Sequence, residues 1–312
     1  MKVGLIDVDG HGFPNYALMK ISAYHKLQGD TVEWWNGLFA YDRVYMSKVF
    51  TFSADETTAI NAREIIRGGT GYDPSLTLAK EIDDMQPDYT IYPHATVMVN
   101  KKVVPYALGF LTRGCIRQCP WCIVPTKEGR IRPYRTWEQI KRPDSRAIIF
   151  MDNNVLACDH GIQQIEAMGG EMVWVDFNQG LDARLITPEI ARMLAGLRWI
   201  RFVRLSCDTM AMLPVIEQAV AYMREAGIPA WRFWSYMLVQ DVAEAERRAL
   251  ELHKLGVTPF AQPFRDYNNT PPTDEQRAFA HWVNKKSAFH SCTWGEFRCG
   301  TKKQEINLEA AE

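Results

Sequence analysis

The sequence predicts an α/β fold in two domains, a small doubly wound domain followed by a larger domain of parallel βα units. Three observations support this prediction. The chain has 312 residues, about twice the length of a typical domain. Hydrophobic residues make up 47% and charged residues 23%, the balance of an ordinary globular protein. Apolar β-rich runs alternate with helical patterns along most of the chain.

The first hundred residues alternate in this way. We predict a helix over residues 15–29, stopped by Gly29, and strands over residues 2–9, 31–35, 42–53 and 88–93. Strand–helix–strand units of this size are typical of a small Rossmann-like domain, to which we assign residues 1–104.

Six further apolar runs follow in the second domain, over residues 105–290. They are predicted as strands over residues 109–112, 147–151, 172–177, 200–205, 231–239 and 259–261. Thr187 and Pro188 have the residue types that begin a helix, while Gly227 and Gly256 end two others. Residues 291–312 are left as a C-terminal tail.

Charge and hydropathy exclude several classes of protein. The net charge is −1, which gives no overall attraction to nucleic acid or to an anionic membrane. No segment reaches the roughly 18 uncharged apolar residues that span a bilayer. Asp7 and Asp9 interrupt the first apolar run, where a secretory signal would carry none. We therefore expect a cytoplasmic protein without a membrane partner.

Three of the seven cysteines lie within eight residues. Cys115, Cys119 and Cys122 have the spacing CxxxCxxC, which composition alone would produce with a chance of about 0.003. A structural zinc site usually takes two pairs of ligands, and no second close pair exists. A cubane iron–sulfur cluster normally takes four cysteines, so three would leave one iron open to another ligand. A zinc site with a distant fourth ligand remains the alternative.

The stretch GCIRQCPWCIVP, residues 114–125, resembles the cluster loops of the radical S-adenosylmethionine (SAM) superfamily, especially of methylthiotransferases and cobalamin-associated members. The resemblance implies that the three cysteines hold a [4Fe-4S] cluster whose fourth iron binds SAM. It also implies reductive cleavage of SAM to a 5′-deoxyadenosyl radical, an electron donor such as flavodoxin or ferredoxin, and a partial (β/α)6 TIM-type barrel. It names neither the substrate nor a catalytic residue.

In such barrels the chemistry lies at the carboxyl ends of the strands. The resemblance places Trp121 against the SAM adenine and Asp152 or Asn153 near the SAM amine. It places Arg184 near the SAM carboxylate. The polar residues after the other predicted strands complete the expected cofactor site: Asn178, Gln179, Ser206, Asp208 and Gln262. Asp208 could alternatively cap the following helix, and Arg184 could belong to a helix-start network.

The N-terminal domain resembles the cobalamin-binding-type domain that precedes many radical SAM cores. Asp9 and His11 match part of a cobalt-ligating motif, but Pro14 replaces its glycine, and a glycine-rich segment is present only at residues 68–71. Cobalamin binding is therefore possible but not the expectation. A cobalamin-dependent radical SAM methyltransferase and a non-catalytic iron–sulfur or zinc module remain alternative functions.

The other cysteines are Cys158, Cys207, Cys292 and Cys299, and we predict that they are ordinary buried residues rather than ligands of a second cluster. A basic stretch over residues 127–142 could contact phosphate, but its prolines favour a solvated loop. A nucleic-acid partner is not indicated.

Overall fold

The computed structural model describes residues 1–266 and 269–298 of the chain. The chain has a mixed α/β fold with curled sheets. It divides into two compact units, Met1–Asn153 with Met172–Val175, and Asn154–Glu171 with the described residues from Asp176 onward. The sequence-predicted boundary near residue 104 lies in a strand of the first unit.

The first unit contains four helices within its described residues: α1 (Tyr16–Leu27), α2 (Lys80–Asp83), α3 (Val124–Lys127) and α4 (Trp137–Ile140). Its strands are β1 (Lys2–Asp7), β2 (Thr31–Trp34), β3 (Tyr41–Ser47), β4 (Ala62–Gly68), β5 (Thr96–Val99), β6 (Lys102–Gly109), β7 (Thr112–Arg113), β8 (Arg132–Pro133) and β9 (Ala147–Phe150).

The order β2-β1-β3-β4 forms a parallel sheet at the start of this unit. The predicted helix is confirmed as α1, which begins where the Asn15 side chain accepts a hydrogen bond from Leu18 N. It is followed by Gly29 at φ +80°, a conformation that favours glycine. The segment between β3 and β4, residues 48–61, is described throughout and contains no helix, so the sheet carries α1 as its crossover helix.

Two predictions in this region are wrong. Residues 88–93 were expected to be a strand, but Tyr89–Ile91 form a 3₁₀ turn because the Asp88 side chain accepts a hydrogen bond from Thr90 N. The run over residues 109–112 was expected to be one strand, whereas β6 ends at Gly109 and β7 begins at Thr112. The strand β6 instead pairs with β5 as a hairpin and with β9 in parallel.

The division between the units passes through β10 (Trp174–Phe177). The second unit contains the remaining helices of the described residues: α5 (Asp159–Met168), α6 (Pro188–Ala195), α7 (Leu213–Glu225), α8 (Val242–Lys254), α9 (Asp274–Asn284) and α10 (Lys286–Ser291). Its other strands are β11 (Arg198–Trp199), β12 (Val203–Ser206), β13 (Phe233–Val239) and β14 (Thr258–Pro263).

The strands β12, β13 and β14 form a parallel sheet whose side chains alternate between two faces. One face is fully buried and includes Val203, Leu205, Cys207, Met237 and Val239. The other carries polar and aromatic side chains that are partly accessible. The face that carries Ser206 and Tyr236 is therefore the more accessible of the two. No helix in the described residues is long and apolar enough to cross a membrane.

Candidate functional site

The cysteine motif occupies the loop between β7 and α3 in the first unit. Gly114 begins this loop at φ +86°, and a Cβ there would lie 2.4 Å from the Arg130 carbonyl oxygen. The next residue, Cys115, donates its backbone N–H to the Gly129 carbonyl at 3.2 Å. The glycine that precedes the motif is therefore required by both its backbone angle and its close contact with the returning chain.

All three cysteines of the motif are half-buried. The N–H of Arg117 donates to Cys115 Sγ at 3.3 Å, and Cys122 N–H donates to the Cys119 carbonyl at 3.0 Å. Backbone N–H groups directed at sulfur tune thiolate-ligated iron centres. The loop thus carries three accessible sulfur donors, one of them already supported by an amide.

The chemistry of this donor set fits an iron–sulfur cluster, since three thiols on one short loop are the ligand type that such clusters use. Across residues 1–266 and 269–298, however, no three His, Cys, Asp or Glu side chains converge as metal ligands. Binding a cluster would therefore require the three cysteine side chains to turn toward a common centre. Trp121, between Cys119 and Cys122, is half-buried in the same turn.

Asp152 and Asn153 follow β9 and hold the base of the cysteine loop. The Asp152 carboxylate accepts hydrogen bonds from Leu111 N at 3.1 Å, Thr112 N at 2.5 Å and Thr112 Oγ1 at 2.7 Å. The Asn153 side-chain oxygen accepts one from Gly114 N at 3.3 Å. Burial raises the pKa of Asp152 to about 6, although these hydrogen bonds favour its charged form. Both side chains were predicted to contact SAM, and both act here as anchors of the loop.

The second unit places the other predicted residues at the carboxyl ends of its strands. The carbonyl of Asn178 accepts a hydrogen bond from the Tyr236 hydroxyl at 2.7 Å, while Gln179 is exposed. A Cβ on Gly180 would lie 3.5 Å from Ser206 Oγ, so the segment after β10 approaches the end of β12 closely.

Ser206 and Tyr236 are paired in register, as are Tyr236 and Phe260. One step further along, Asp208 Oδ1 accepts a hydrogen bond from Leu238 N at 3.0 Å. Leu238 is in turn the register partner of the exposed Gln262. Ser206, Asp208 and Gln262 therefore follow one face of the sheet. The alternative role for Asp208 as a helix cap is not what the structure shows, because α7 begins at Leu213 and its N-cap position, Met212, has no side-chain cap.

Arg184 lies in a local turn. Its guanidinium donates to both carboxylate oxygens of Asp182, at 2.6 and 3.1 Å, and Asn154 Nδ2 donates to the same carboxylate at 3.2 Å. This network is the helix-start alternative considered for Arg184. The side chain is more than a third exposed, so one side of the pair faces solvent.

Two charged sites of this unit were not predicted from the sequence, an ion pair between strands and an arginine on α8. Asp176 and Arg204 form a bidentate ion pair, with N–O distances of 2.8 and 2.7 Å. Arg248 on α8 is 1% exposed, and it pairs with Glu244 at 3.0 Å and donates to the Leu238 carbonyl at 2.5 Å. Both sites could have been recognised in the sequence. In one, a charged residue lies within an apolar strand, and in the other it lies on the buried face of a helix.

The Arg248 and Glu244 side chains help to hold the loop after β12. Glu244 Oε1 accepts a hydrogen bond from Met210 N at 3.1 Å. Leu238 is held twice, because its N–H donates to Asp208 and its carbonyl accepts from Arg248. The end of β13 and the loop after β12 are thus held by an ion pair of α8 in which Arg248 is buried and Glu244 is partly exposed.

The remaining cysteines are separate from the motif along the chain. Cys207 is fully buried, and burial raises the pKa of its thiol to about 12, whereas Cys158 and Cys292 are half-buried. Cys299 lies outside the described residues. The expectation that these are ordinary thiols remains a prediction.

The basic stretch is largely engaged with its own chain. Arg142 is paired with Asp144 through two hydrogen bonds at 2.8 and 2.6 Å. Lys127 donates to the Leu76 carbonyl, and Arg135 donates to the Asp83 carbonyl. These contacts agree with a structural loop more than with a phosphate-binding stripe.

The N-terminal residues considered for cobalamin are also engaged. The Asp9 carboxylate accepts hydrogen bonds from Val49 N, Phe50 N and Ser53 Oγ. In the glycine segment, a Cβ on Gly69 would lie 2.4 Å from the Lys48 carbonyl oxygen. Gly69 and Gly71 are explained by close contact with the loop after β3, whereas a Cβ on Gly68 would meet nothing within 4 Å.

No model of a known protein family matches the chain, and no curated protein matches it.

Proposed function

We propose that this chain is a radical SAM enzyme, in which Cys115, Cys119 and Cys122 ligate a [4Fe-4S] cluster. The observation that carries the proposal is the CxxxCxxC spacing on a half-buried loop at the end of a strand pair. Cys115, Cys119 and Cys122 would hold the cluster, which when bound would supply the electron that cleaves the C5′–S bond of SAM into methionine and a 5′-deoxyadenosyl radical able to abstract hydrogen from a substrate. The proposal includes a partial (β/α)6 barrel and a Rossmann-like domain over residues 1–104.

The residues of the chain have distinct roles in this proposal. Asp152 and Asn153 hold the backbone before Cys115, so that the main chain is fixed while the three thiols turn toward the cluster. Trp121 contacts the adenine ring. Arg184 offers its exposed side to the SAM carboxylate.

The end of β12 supplies further polar groups. Ser206 and Asp208 lie on the accessible face and are proposed to contact the ribose of SAM, with Gln262 at the edge of the same face. An electron donor such as flavodoxin or ferredoxin would reduce the cluster. It would do so at the cysteine loop, since electron transfer requires close approach.

The test is anaerobic iron–sulfide reconstitution of the full-length chain, followed by reduction in the presence of SAM. We expect a brown protein with about four iron and four sulfide per chain, and 5′-deoxyadenosine as a product. Cys119→Ala should lose both. Cys158→Ala is the matched control, because it removes a half-buried cysteine outside the motif, and it should retain both.

One other result would overturn the proposal, and a second would assign the chain to the alternative reaction within the same superfamily. One zinc per chain without SAM cleavage would identify a structural metal module. Binding of added cobalamin, seen as a shifted corrinoid absorbance, together with methyl transfer would identify the methyltransferase alternative.

A further inference from the structure

A lysine lies fully buried on α1, where lysine is rarely found. Lys20 is 0% exposed. Its Nζ donates hydrogen bonds to the Asp83 carbonyl at 2.5 Å, to Asp83 Oδ1 at 2.8 Å and to the Tyr134 hydroxyl at 2.8 Å. An ammonium group has three donors, and this site uses all of them.

Two aromatic rings and several charged side chains lie close to the Lys20 ammonium group. The ring centroids of Tyr16 and Tyr134 lie 4.6 and 5.4 Å from Nζ. Asp83 supplies the counter-charge, while Arg113 and Arg135 add positive charge nearby. Burial lowers the pKa of Lys20 to about 8, although the hydrogen bond to Asp83 acts in the opposite direction.

Tyr134 connects this group to the cysteine loop. Its hydroxyl also donates to Asp83 Oδ1 at 2.7 Å, and its backbone N–H donates to the Leu111 carbonyl at 2.9 Å. Leu111 directly precedes β7, and Tyr134 directly follows β8, the two paired strands that form the stem of the loop. Tyr134 therefore ties both strands of the stem to Lys20.

The stem continues into the motif without a break. Arg113, the last residue of β7, lies 4.0 Å above the Phe110 ring and donates to Glu128 at 3.0 Å. The next two residues are Gly114 and Cys115. A displacement of Tyr134 would thus be transmitted to Cys115 through β7 and β8, each of which has two residues.

We propose that Lys20 is a positioning residue, which fixes the β7–β8 stem through Tyr134 and thereby sets the arrangement of Cys115 in the loop. The N-terminal parallel sheet and α1 act, in this view, as the support of the cysteine loop. The inference rests on the proposed function only where it treats the loop as a cluster site.

The experiment measures alkylation of Cys115 by iodoacetamide in the full-length, metal-free, reduced chain, with Cys158 of the other unit as internal reference. Lys20→Met and Tyr134→Phe should each raise the rate at Cys115 about tenfold relative to Cys158, the effect of losing one buried hydrogen-bonded contact. Lys26→Met is the matched control. Lys26 lies on the same helix and pairs with Asp88 at 2.6 Å, so its loss should leave the ratio unchanged.

A pH series separates positioning from a general loss of packing. As Lys20 loses its proton between pH 7 and 9, the rate at Cys115 in the unmodified chain should approach that of Lys20→Met, with circular dichroism unchanged. If Lys20→Met does not fold, Tyr134→Phe carries the test, because it keeps the ring and removes only the hydroxyl.

Unchanged alkylation of Cys115 in Tyr134→Phe would overturn the inference. Equal increases at Cys115 and Cys158 would also overturn it, because they would show general loosening. The alkylation assay uses neither SAM nor a cluster. It can therefore contradict this inference independently of the reconstitution assay, which tests the proposed function.

Discussion

The cysteine loop of the first unit and the strand ends of the second unit stabilise buried carboxylates in different ways. Asp152 accepts hydrogen bonds from two backbone amides and one hydroxyl. Asp176 is instead paired with the Arg204 guanidinium through two hydrogen bonds. In the first unit the carboxylate therefore fixes main chain next to the motif, whereas in the second it pairs with an arginine side chain on the more accessible face of the sheet.

The two kinds of stabilisation suit different needs, a fixed backbone in the cysteine loop and fixed side chains at the strand ends. A loop that must hold three thiols needs a fixed backbone, and backbone amides bonded to a buried acceptor provide it. The face that is proposed to receive a ligand needs side chains of fixed orientation. A bidentate ion pair under Trp234, whose ring centroid lies 4.9 Å from the Arg204 guanidinium carbon, provides that.

The largest expected effect comes from breaking the side-chain pair. Arg204→Met leaves the buried Asp176 carboxylate without its cation and should lower the free energy of unfolding by about 3–5 kcal/mol. Urea denaturation measures this change. Arg201→Met, which removes an exposed arginine three residues earlier, should change the free energy by less than about 0.5 kcal/mol. Similar losses of unfolding free energy in Arg204→Met and Arg201→Met would show that the pair with Asp176 has no special stabilising role in the second unit.

In the first unit, the contribution of Asp152 to the free energy of unfolding should depend on pH. Because the pKa of Asp152 is raised to about 6 in the folded chain, the stability that it contributes is full below pH 4 and is lost as the pH rises through 6. The free energy of unfolding of the unmodified chain, relative to Asp152→Asn, should fall by about 3 kcal/mol between pH 4 and 7.

Asp159→Asn, at an exposed aspartate, is the control for this series. A constant difference between the unmodified chain and Asp152→Asn across the same pH range would show that Asp152 is not desolvated as described.

A smaller effect is expected from the hydrogen bond between the Asp208 carboxylate and the Leu238 amide. Asp208→Ala leaves Leu238 N–H without its acceptor and should cost about 1–2 kcal/mol in denaturant unfolding. Asp208→Asn keeps an acceptor oxygen and should restore most of this stability. If the alanine and asparagine variants were equally unstable, the hydrogen bond to Leu238 would not be the role of this side chain.

The smallest effect on stability is expected at Arg184. Its pair with Asp182 is partly exposed, so Arg184→Ala should change the free energy of unfolding by less than about 0.5 kcal/mol. Its proposed contact with the SAM carboxylate should instead raise the KM for SAM about tenfold, with kcat retained. Arg192→Ala removes an exposed arginine paired with Glu189 and should change neither quantity. A normal KM in Arg184→Ala would contradict the assignment of this residue.

The fold was predictable from the sequence where strands are apolar and buried. The runs over residues 147–151 and 231–239 correspond to β9 and β13, because strands covered by helices have continuous apolar sequences. The strand β4 was missed, since three of its seven residues are charged and it lies at the edge of its sheet. Asp88 made residues 88–93 a turn, a local hydrogen bond that an apolar pattern does not reveal.

In the candidate site, too, some features were predictable from the sequence and others were not. The cysteine spacing is visible in the sequence because one short loop contains it. The roles of Asp152 and Asp208 depend on which backbone amides lie beside them, and register and loop geometry determine that. Lys20 was not predictable as a positioning residue, because its partners lie 63 and 114 positions away along the chain.

The most direct test of the central claim is electron paramagnetic resonance of the reconstituted, reduced chain before and after addition of SAM. The account predicts the signal of a reduced [4Fe-4S] cluster that shifts when SAM binds its open iron, and no signal in Cys119→Ala. A signal that SAM leaves unchanged, or equal signals in the unmodified chain and Cys119→Ala, would contradict it.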